Sequence, residues 1–301
     1  MGSQGIRFSV IVPTRDRPAQ LRNCLRALAA LKCAREGFEV IVVDDGSSAE
    51  LDCVLAPFCG RLDLKLHRLP PSGPATARNA GAALARGRFL AFTDDDCAPT
   101  PEWLEALECR LLQHSGCAVG GQTINGLSGN LYACASQMLV DFLYSYYNRS
   151  PAQARLLTSN NLAFPAERFR AVGGFDPAFR GAGGEDRDLC DRWLGLGYQM
   201  VYAPEAVVHH FHALTGGGFW RQHISYGRGA ATFHEARTRR GQGPIRVEPL
   251  SFYLGICACP FRGPWGWRAW PLAALLICSQ VANAAGFFWE KAVGHRRMPS
   301  R

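Results

Sequence analysis

Three consecutive carboxylates, Asp94-Asp95-Asp96, follow the apolar run 88–93. Their mutual repulsion requires a cation or firm solvation. On an extended chain Asp94 and Asp96 point to one side and Asp95 to the other. Two hard oxygen ligands would then face Mg²⁺ or Mn²⁺, with room left for phosphate oxygens; a solvated loop is the other reading of an isolated acidic triple. In His209-His210-Phe211-His212, a strand would put His210 and His212 on the face of Ala206 and Val208. A neutral imidazole there could complete a metal shell begun by Asp96, or be structural. Gly183-Gly184-Glu185-Asp186 sets flexible backbone before two carboxylates that open a helix. They suit helix capping and the helix dipole, and equally a general base turned toward a substrate hydroxyl. Asp44-Asp45-Gly46-Ser47 has the composition of a turn, and its carboxylates could accept hydrogen bonds from a base or ribose.

The elements around these residues explain their placement. Residues 8–13 and 38–43 are β-branched runs that read as buried parallel strands. Residues 64–69 and 88–93 are further strands. Residues 18–31, with Leu21, Leu25, Leu28 and Leu31 at helical spacing, form a helix, as do 76–85 and 102–113. Alternating strands and helices imply right-handed crossovers and a mostly parallel sheet. Such sheets bind ligands at the carboxyl ends of their strands, and each of the first acidic clusters follows a strand. Further on, 132–147 and 186–196 read as helices and 158–165 as extended. Residues 198–202 and 206–212 read as two strands separated by a turn at Pro204.

The order of these motifs carries more than any one of them. Pro13-Thr14-Arg15-Asp16, Asp44-Asp45-Gly46-Ser47, Ala77-Arg78-Asn79-Ala80-Gly81 and Asp94-Asp95-Asp96 follow one another. Asn160-Asn161-Leu162-Ala163-Phe164, Gly173-Gly174-Phe175-Asp176, Gly183-Gly184-Glu185-Asp186 and Tyr226-Gly227-Arg228-Gly229 come after them. Over residues 8–230 the series resembles the family 2 glycosyltransferases. The resemblance implies a GT-A fold, a Rossmann-like sheet flanked by helices, and inverting transfer of a sugar from a nucleotide-diphosphate sugar to a hydroxyl with Mn²⁺ or Mg²⁺ as cofactor. It implies that Asp45 contacts the base, with Pro13, Thr14 and Arg15 as the neighbouring wall and Arg78 near the nucleotide. Asp94 and Asp96 match the carboxylate pair that holds ribose and metal, Asp95 belongs with the nucleotide-sugar residues, and His210 matches a late histidine at the metal or diphosphate. Asp186 matches the general base, with Glu185 beside it. Arg15 stands where the family often has an aromatic residue, so the nucleotide is left open. A nucleotidyltransferase would need a glycine- and lysine-rich triphosphate loop near the first strand, and residues 14–18 are not one. A non-catalytic nucleotide-sugar-binding module would be expected to lack Asp96 or Asp186.

The chain has 301 residues, a net charge of +8 and 48% apolar residues, enough for a real core. Residues 1–213 carry a net −1 and residues 214–301 a net +9. The chain therefore divides into a catalytic domain, 1–240, and a hydrophobic, basic tail, 241–301. Arg221, Arg228, Arg237, Arg239, Arg240 and Arg246 precede the uncharged run 269–289, which is long enough to span a bilayer. It contains Pro271, Gln280, Asn283 and Gly286 and reads as an interfacial or re-entrant helix, with packing on the body or a dimer contact as the alternative. The implied location is the inner face of the cell membrane, with an anionic lipid surface as partner and a lipid-linked or polysaccharide acceptor. No nucleic-acid reader motif accompanies the basic tail. Residues 1–7 are polar and no secretory signal is read there, so the twelve scattered cysteines are expected to be reduced thiols in a cytosolic compartment.

Overall fold

The computed structural model describes residues 5–179, 181, 183–243 and 247–297, with side chains described to 293; Arg246 lies outside the described residues. The first half runs β1 (Phe8–Thr14), α1 (Pro18–Leu28), β2 (Phe38–Asp44), α2 (Asp52–Leu55), β3 (Leu64–Arg68), α3 (Pro74–Leu84), β4 (Phe89–Phe92), β5 (Cys97–Pro99), α4 (Trp103–Gln113) and β6 (Ala118–Asn125). The second runs α5 (Leu131–Tyr147), β7 (Leu162–Pro165), α6 (Ala166–Val172), α7 (Glu185–Gly195), β8 (Met200–His210), α8 (Gly216–Arg239), α9 (Leu250–Ala258) and α10 (Ala269–Arg297).

The strands form one sheet in the order β3-β2-β1-β4-β7-β6-β8-β5. The β-branched runs of β1 and β2 are buried on both faces, as central parallel strands are. The β1–β2, β1–β4, β2–β3 and β6–β8 pairs are parallel, but β4–β7, β6–β7 and β5–β8 are antiparallel, so the sheet is mixed beyond β4. One face packs Leu21, Leu25, Trp103 and Leu107 from α1 and α4. The other packs Phe164, Phe169, Phe175 and Trp193 against α3 and α7. Gly81 lets α3 lie directly on the sheet, because a Cβ there would come within 2.6 Å of Ile11 Cγ2.

The expected turn at Pro204 is not a break between strands. β8 is continuous and carries a bulge: Ala203 pairs with Gly121 and Val207 with Gln122, leaving three residues out of the ladder. Pro204 has no N–H to give the ladder. Asn161 fills the bulge, its Nδ2 donating to the carbonyls of Gln122 (2.9 Å) and Ala206 (2.8 Å) while Trp103 Nε1 donates to its Oδ1 (2.8 Å).

α10 packs on α8, α5 and α9. Gly227 of α8 meets the backbone of Asn283, and Gly286 of α10 meets that of Ile224, so the two helices touch backbone to backbone. The opposite face of α10 is bare: Trp270, Ile277, Val281 and Phe288 are all more than half exposed. Among the described residues one helix, Gly266–Val293, is long and apolar enough to cross a membrane, with mean hydropathy 1.6. All twelve cysteines are free thiols.

Candidate active site

β4 stops at Phe92, and the acidic triple lies in a turn closed by the Cys97 N–H on the Asp94 carbonyl (3.1 Å). Strand alternation therefore does not apply, and the expectation that Asp94 and Asp96 share a side is corrected: Asp94 pairs with Arg78, while Asp95 and Asp96 share Arg17. Asp94 Oδ1 accepts from Arg78 (2.7 Å). Asp95 accepts from Thr14 Oγ1 (2.7 Å) and from Arg17 (3.2 Å). Asp96 meets Arg17 (3.1 Å), His210 Nε2 (3.2 Å) and His212 Nδ1 (3.0 Å). Burial lifts the Asp95 carboxyl to about 6, with Arg17 opposing. Burial acts on Asp96 as well, but hydrogen bonds to His210 and His212 outweigh it and hold that carboxyl well below the usual range.

Asp96, His210 and His212 form a group whose ligand atoms all lie within 4.8 Å of one another. β8 delivers His210, and the backbone continues past it with Phe211 N–H on the Asp96 carbonyl (2.8 Å). The two imidazoles stack with centroids 5.2 Å apart. Asp94 stands outside this group. His212 joins it from just beyond the end of β8.

Arg17 was not singled out in the sequence. It is placed by Asp16, whose φ of +54° is rare for a non-glycine residue. That bend is held by Ser48, which donates to Asp16 Oδ1 from its N–H (2.8 Å) and Oγ (2.7 Å). Asp45 is turned toward the β3–α3 loop, accepting from the N–H groups of Ser72 (2.7 Å) and Gly73 (3.0 Å). Pro13 is half-buried, Thr14 buried against Asp95, and Arg15 exposed.

Arg78 is buried and bridges the two halves of the site: Nη2 reaches Asp94 and Nη1 reaches Glu185 Oε1 (3.3 Å). Burial disfavours its charge, but Asp94, Asp186 and Glu185 keep the guanidinium ionised. Glu185 Oε2 accepts from the Gly183 N–H (2.7 Å). Asp186 is the less engaged of the acidic pair. Its Oδ2 accepts from the Ser159 N–H (3.1 Å), and its Oδ1 is buried without a hydrogen-bond partner. Burial, then the Glu185 charge, raise its carboxyl well above the ordinary value against the opposing pull of Arg78. A helix N-terminus alone would make it a weak base; burial reverses that expectation.

Arg78, Asp94, Asp186, His210 and His212 all line one cavity of about 760 Å³. The family model "Glycosyl transferase family 2" matches residues 9–171. The chain belongs to the family 2 glycosyltransferases. A second family model, "N-terminal domain of galactosyltransferase", matches residues 145–214, the span that supplies Asp186 and both histidines of this glycosyltransferase.

The chain is 31% identical over 211 residues to the pre-mycofactocin glycosyltransferase of Mycobacterium tuberculosis, covering 68% of this chain and 42% of that protein. It is 30% identical over 230 residues to the validoxylamine A glucosyltransferase of Streptomyces hygroscopicus subsp. jinggangensis, covering 66% and 54%. It thus spans about half the length of the curated relatives it matches. Its fold matches that of a mannosyltransferase from Pyrobaculum calidifontis in complex with GDP-Man and Mn²⁺, with a TM-score of 0.63 at 19% identity over 99% of this chain and 82% of that one. The mixed sheet and its flanking helices therefore have the GT-A fold.

Proposed function

We propose that this glycosyltransferase inverts the anomeric carbon of a nucleotide-diphosphate sugar as it transfers the sugar to an acceptor hydroxyl, with Asp186 as general base. The observation that carries this reading is the unpartnered, buried Oδ1 of Asp186 on the cavity that is also lined by His210 and His212, the two histidines grouped with Asp96. The acceptor oxygen attacks the anomeric carbon, its proton passes to Asp186, and the bond to the diphosphate breaks, releasing nucleoside diphosphate. No enzyme nucleophile is needed, and the raised carboxyl suits Asp186 to accept a proton near neutrality.

The donor set fits a divalent cation. One carboxylate and two imidazoles bring their ligand atoms within 4.8 Å of one another, and the two nitrogens favour Mn²⁺ over the all-oxygen preference of Mg²⁺. Asp96, His210 and His212 would hold it, and when bound it would stabilise charge on the departing diphosphate. In this reading Asp94 and Asp45 serve the ribose and base, with Pro13, Thr14 and Arg15 as the neighbouring wall, and Arg78 bridges Asp94 and Glu185. Residues 1–240 are taken as the catalytic unit and 241–301 as the tail that holds the enzyme on the inner face of the membrane. The mannosyltransferase neighbour bound to GDP-Man and Mn²⁺ supports the donor class and the metal.

The test is nucleoside diphosphate release across a panel of UDP- and GDP-sugars. Activity is expected to vanish with chelator and return with Mn²⁺; full turnover in excess chelator would refute the metal assignment.

A further inference from the structure

The cavity that holds Asp186 extends well beyond it, and its character changes along its length. The first turns of α5, α8 and α10 meet in one cluster, where Cys134, Phe219 and Leu272 pack together. A turn or two further, Leu139 and Leu276 meet Phe252 of α9. The lining of each long helix switches in the same direction. On α5, Ser136 and Gln137 give way to Val140 and Leu143. On α8, Gln222 and Tyr226 give way to Ala230 and Phe233. On α10, Gln280 and Asn283 give way to Phe287 and Phe288. His210, His212, Asp94 and Asp186 line the same cavity, and Tyr147, His234 and Glu248 line it along with the apolar residues. Arg187 rests on the rings of Phe233 (5.1 Å) and Tyr147 (6.0 Å), with no carboxylate partner among the described residues.

A sugar acceptor alone has no use for such an arm, because hydroxyl groups left among phenyl rings would lose hydrogen bonds to water. The arm also leads to the outside at a particular place. Phe288 lines the cavity and is 68% exposed, on the same bare face of α10 as Ile277 and Val281. The interior apolar path and the exterior apolar stripe are therefore continuous.

We infer that the arm bounded by Val140, Leu143, Ala230, Phe233, Phe252 and Phe287 holds the hydrocarbon tail of a membrane lipid acceptor whose hydroxyl head lies at Asp186. The inference rests on the proposed transfer reaction and names its acceptor class. The stripe on α10 faces the hydrocarbon boundary, so the tail passes from bilayer to arm without crossing water. The donor enters from the Asp94–His212 end, and the base stands between the two substrates.

The test uses the full-length chain and three soluble probes below their micellar concentrations: methyl, n-octyl and n-dodecyl β-glucoside. Each methylene taken from water tightens binding about fourfold, so by calorimetry dodecyl glucoside is expected to bind at least fiftyfold tighter than octyl, and methyl glucoside not measurably. Ala230→Trp, which fills the arm, and Val140→Gln, which makes its wall polar without adding bulk, should each reduce that ratio below about fivefold. Binding of UDP or GDP with Mn²⁺ should be unchanged in both. Affinity that is independent of chain length, or a ratio that survives both substitutions, overturns the inference. Phenyl β-glucoside binding as tightly as the dodecyl compound does so too, in favour of a compact aromatic acceptor. If alkyl binding behaves as expected but no nucleotide sugar binds or turns over, the proposed reaction fails while the apolar arm stands.

Discussion

The contact between α8 and α10 can be tested at one atom. A Cβ added to Gly227 would sit 1.9 Å from the Asn283 carbonyl oxygen and 2.9 Å from the Phe287 nitrogen. These are backbone atoms, so no rotamer change relieves the clash. Ordinary contact begins at about 3.4 Å, so α10 would have to retreat by roughly 1.5 Å along its whole interface. Against backbone that cannot yield, overpacking lies toward the upper part of its usual range, about 2–3 kcal/mol, offset by about 1 kcal/mol because alanine is the better helix former. Gly227→Ala should then lower the stability of the chain by about 1–2 kcal/mol, a Tm drop of about 2–6 °C for a protein of this size. Gly129→Ala is the control, since nothing lies within 4 Å of its Cβ position, and its Tm should stay level or rise slightly. The assay is thermal unfolding of both variants in detergent-free buffer. An unchanged or raised Tm for Gly227→Ala would refute the close packing and release α10 from α8, as a free membrane span would require.

Other consequences follow from the site. Asp186→Asn should leave nucleotide-sugar binding intact and lower transfer by about 10²–10⁴-fold, read as kcat with a separate binding assay. Because only the ionised carboxylate accepts a proton, and burial raises its pKa, the wild-type rate should climb with pH through a value well above the ordinary 3.8; an acid limb at the ordinary value would contradict that environment. His212→Ala should weaken Mn²⁺ binding in the presence of nucleoside diphosphate by at least about tenfold. Unchanged affinity would leave His210 and Asp96 to hold the ion without it. Glu39 is buried, which raises its carboxyl, but Ser9, Lys65 and Arg86 together hold it at about 2. A depressed carboxyl contributes stability that is present above 4.5 and lost as pH falls toward 2. Glu39→Gln should flatten the acid-unfolding curve over that window, while lowering stability at pH 7 by about 1–3 kcal/mol.

What was legible in the sequence divides along physical lines. β1, β2, α3, α4, α5 and α7 announce themselves because each buries a regular apolar pattern, and their ends fall within a few residues of the expected ones. β6 was not recognised: Gly120 and Gly121 carry no side chain for a pattern to show, and both are there because a Cβ would strike Leu157 or the Ala206 carbonyl. The 24-residue α8 was also missed, since its glycines and mixed polarity reflect packing on three sides rather than one apolar stripe. The acidic triple shows the limit of local geometry: strand alternation put Asp94 and Asp96 on one side, but the segment turns, so Asp94 meets Arg78 while Asp96 meets His210 and His212. Arg17 offered no signal of its own, as its role depends on the left-handed bend at Asp16. The raised carboxyl of Asp186 was likewise invisible, since the sequence displays its helix terminus but not its burial.

The bulge in β8 has a consequence for which histidine reaches Asp96. If residues 204–206 were drawn into the ladder with β6, everything after them would slide three places along the strand, about 10 Å at the usual rise. Three is odd, so each side chain would also cross to the opposite face of the sheet. His210 would leave Asp96 on both counts. The bulge thus works as a phase adjuster, and Asn161, which clamps it from the turn just before β7, sets the alignment of the two imidazoles without touching either. Part of the specification of this site is a matter of counting, stored in residues that never face the cavity's reacting groups.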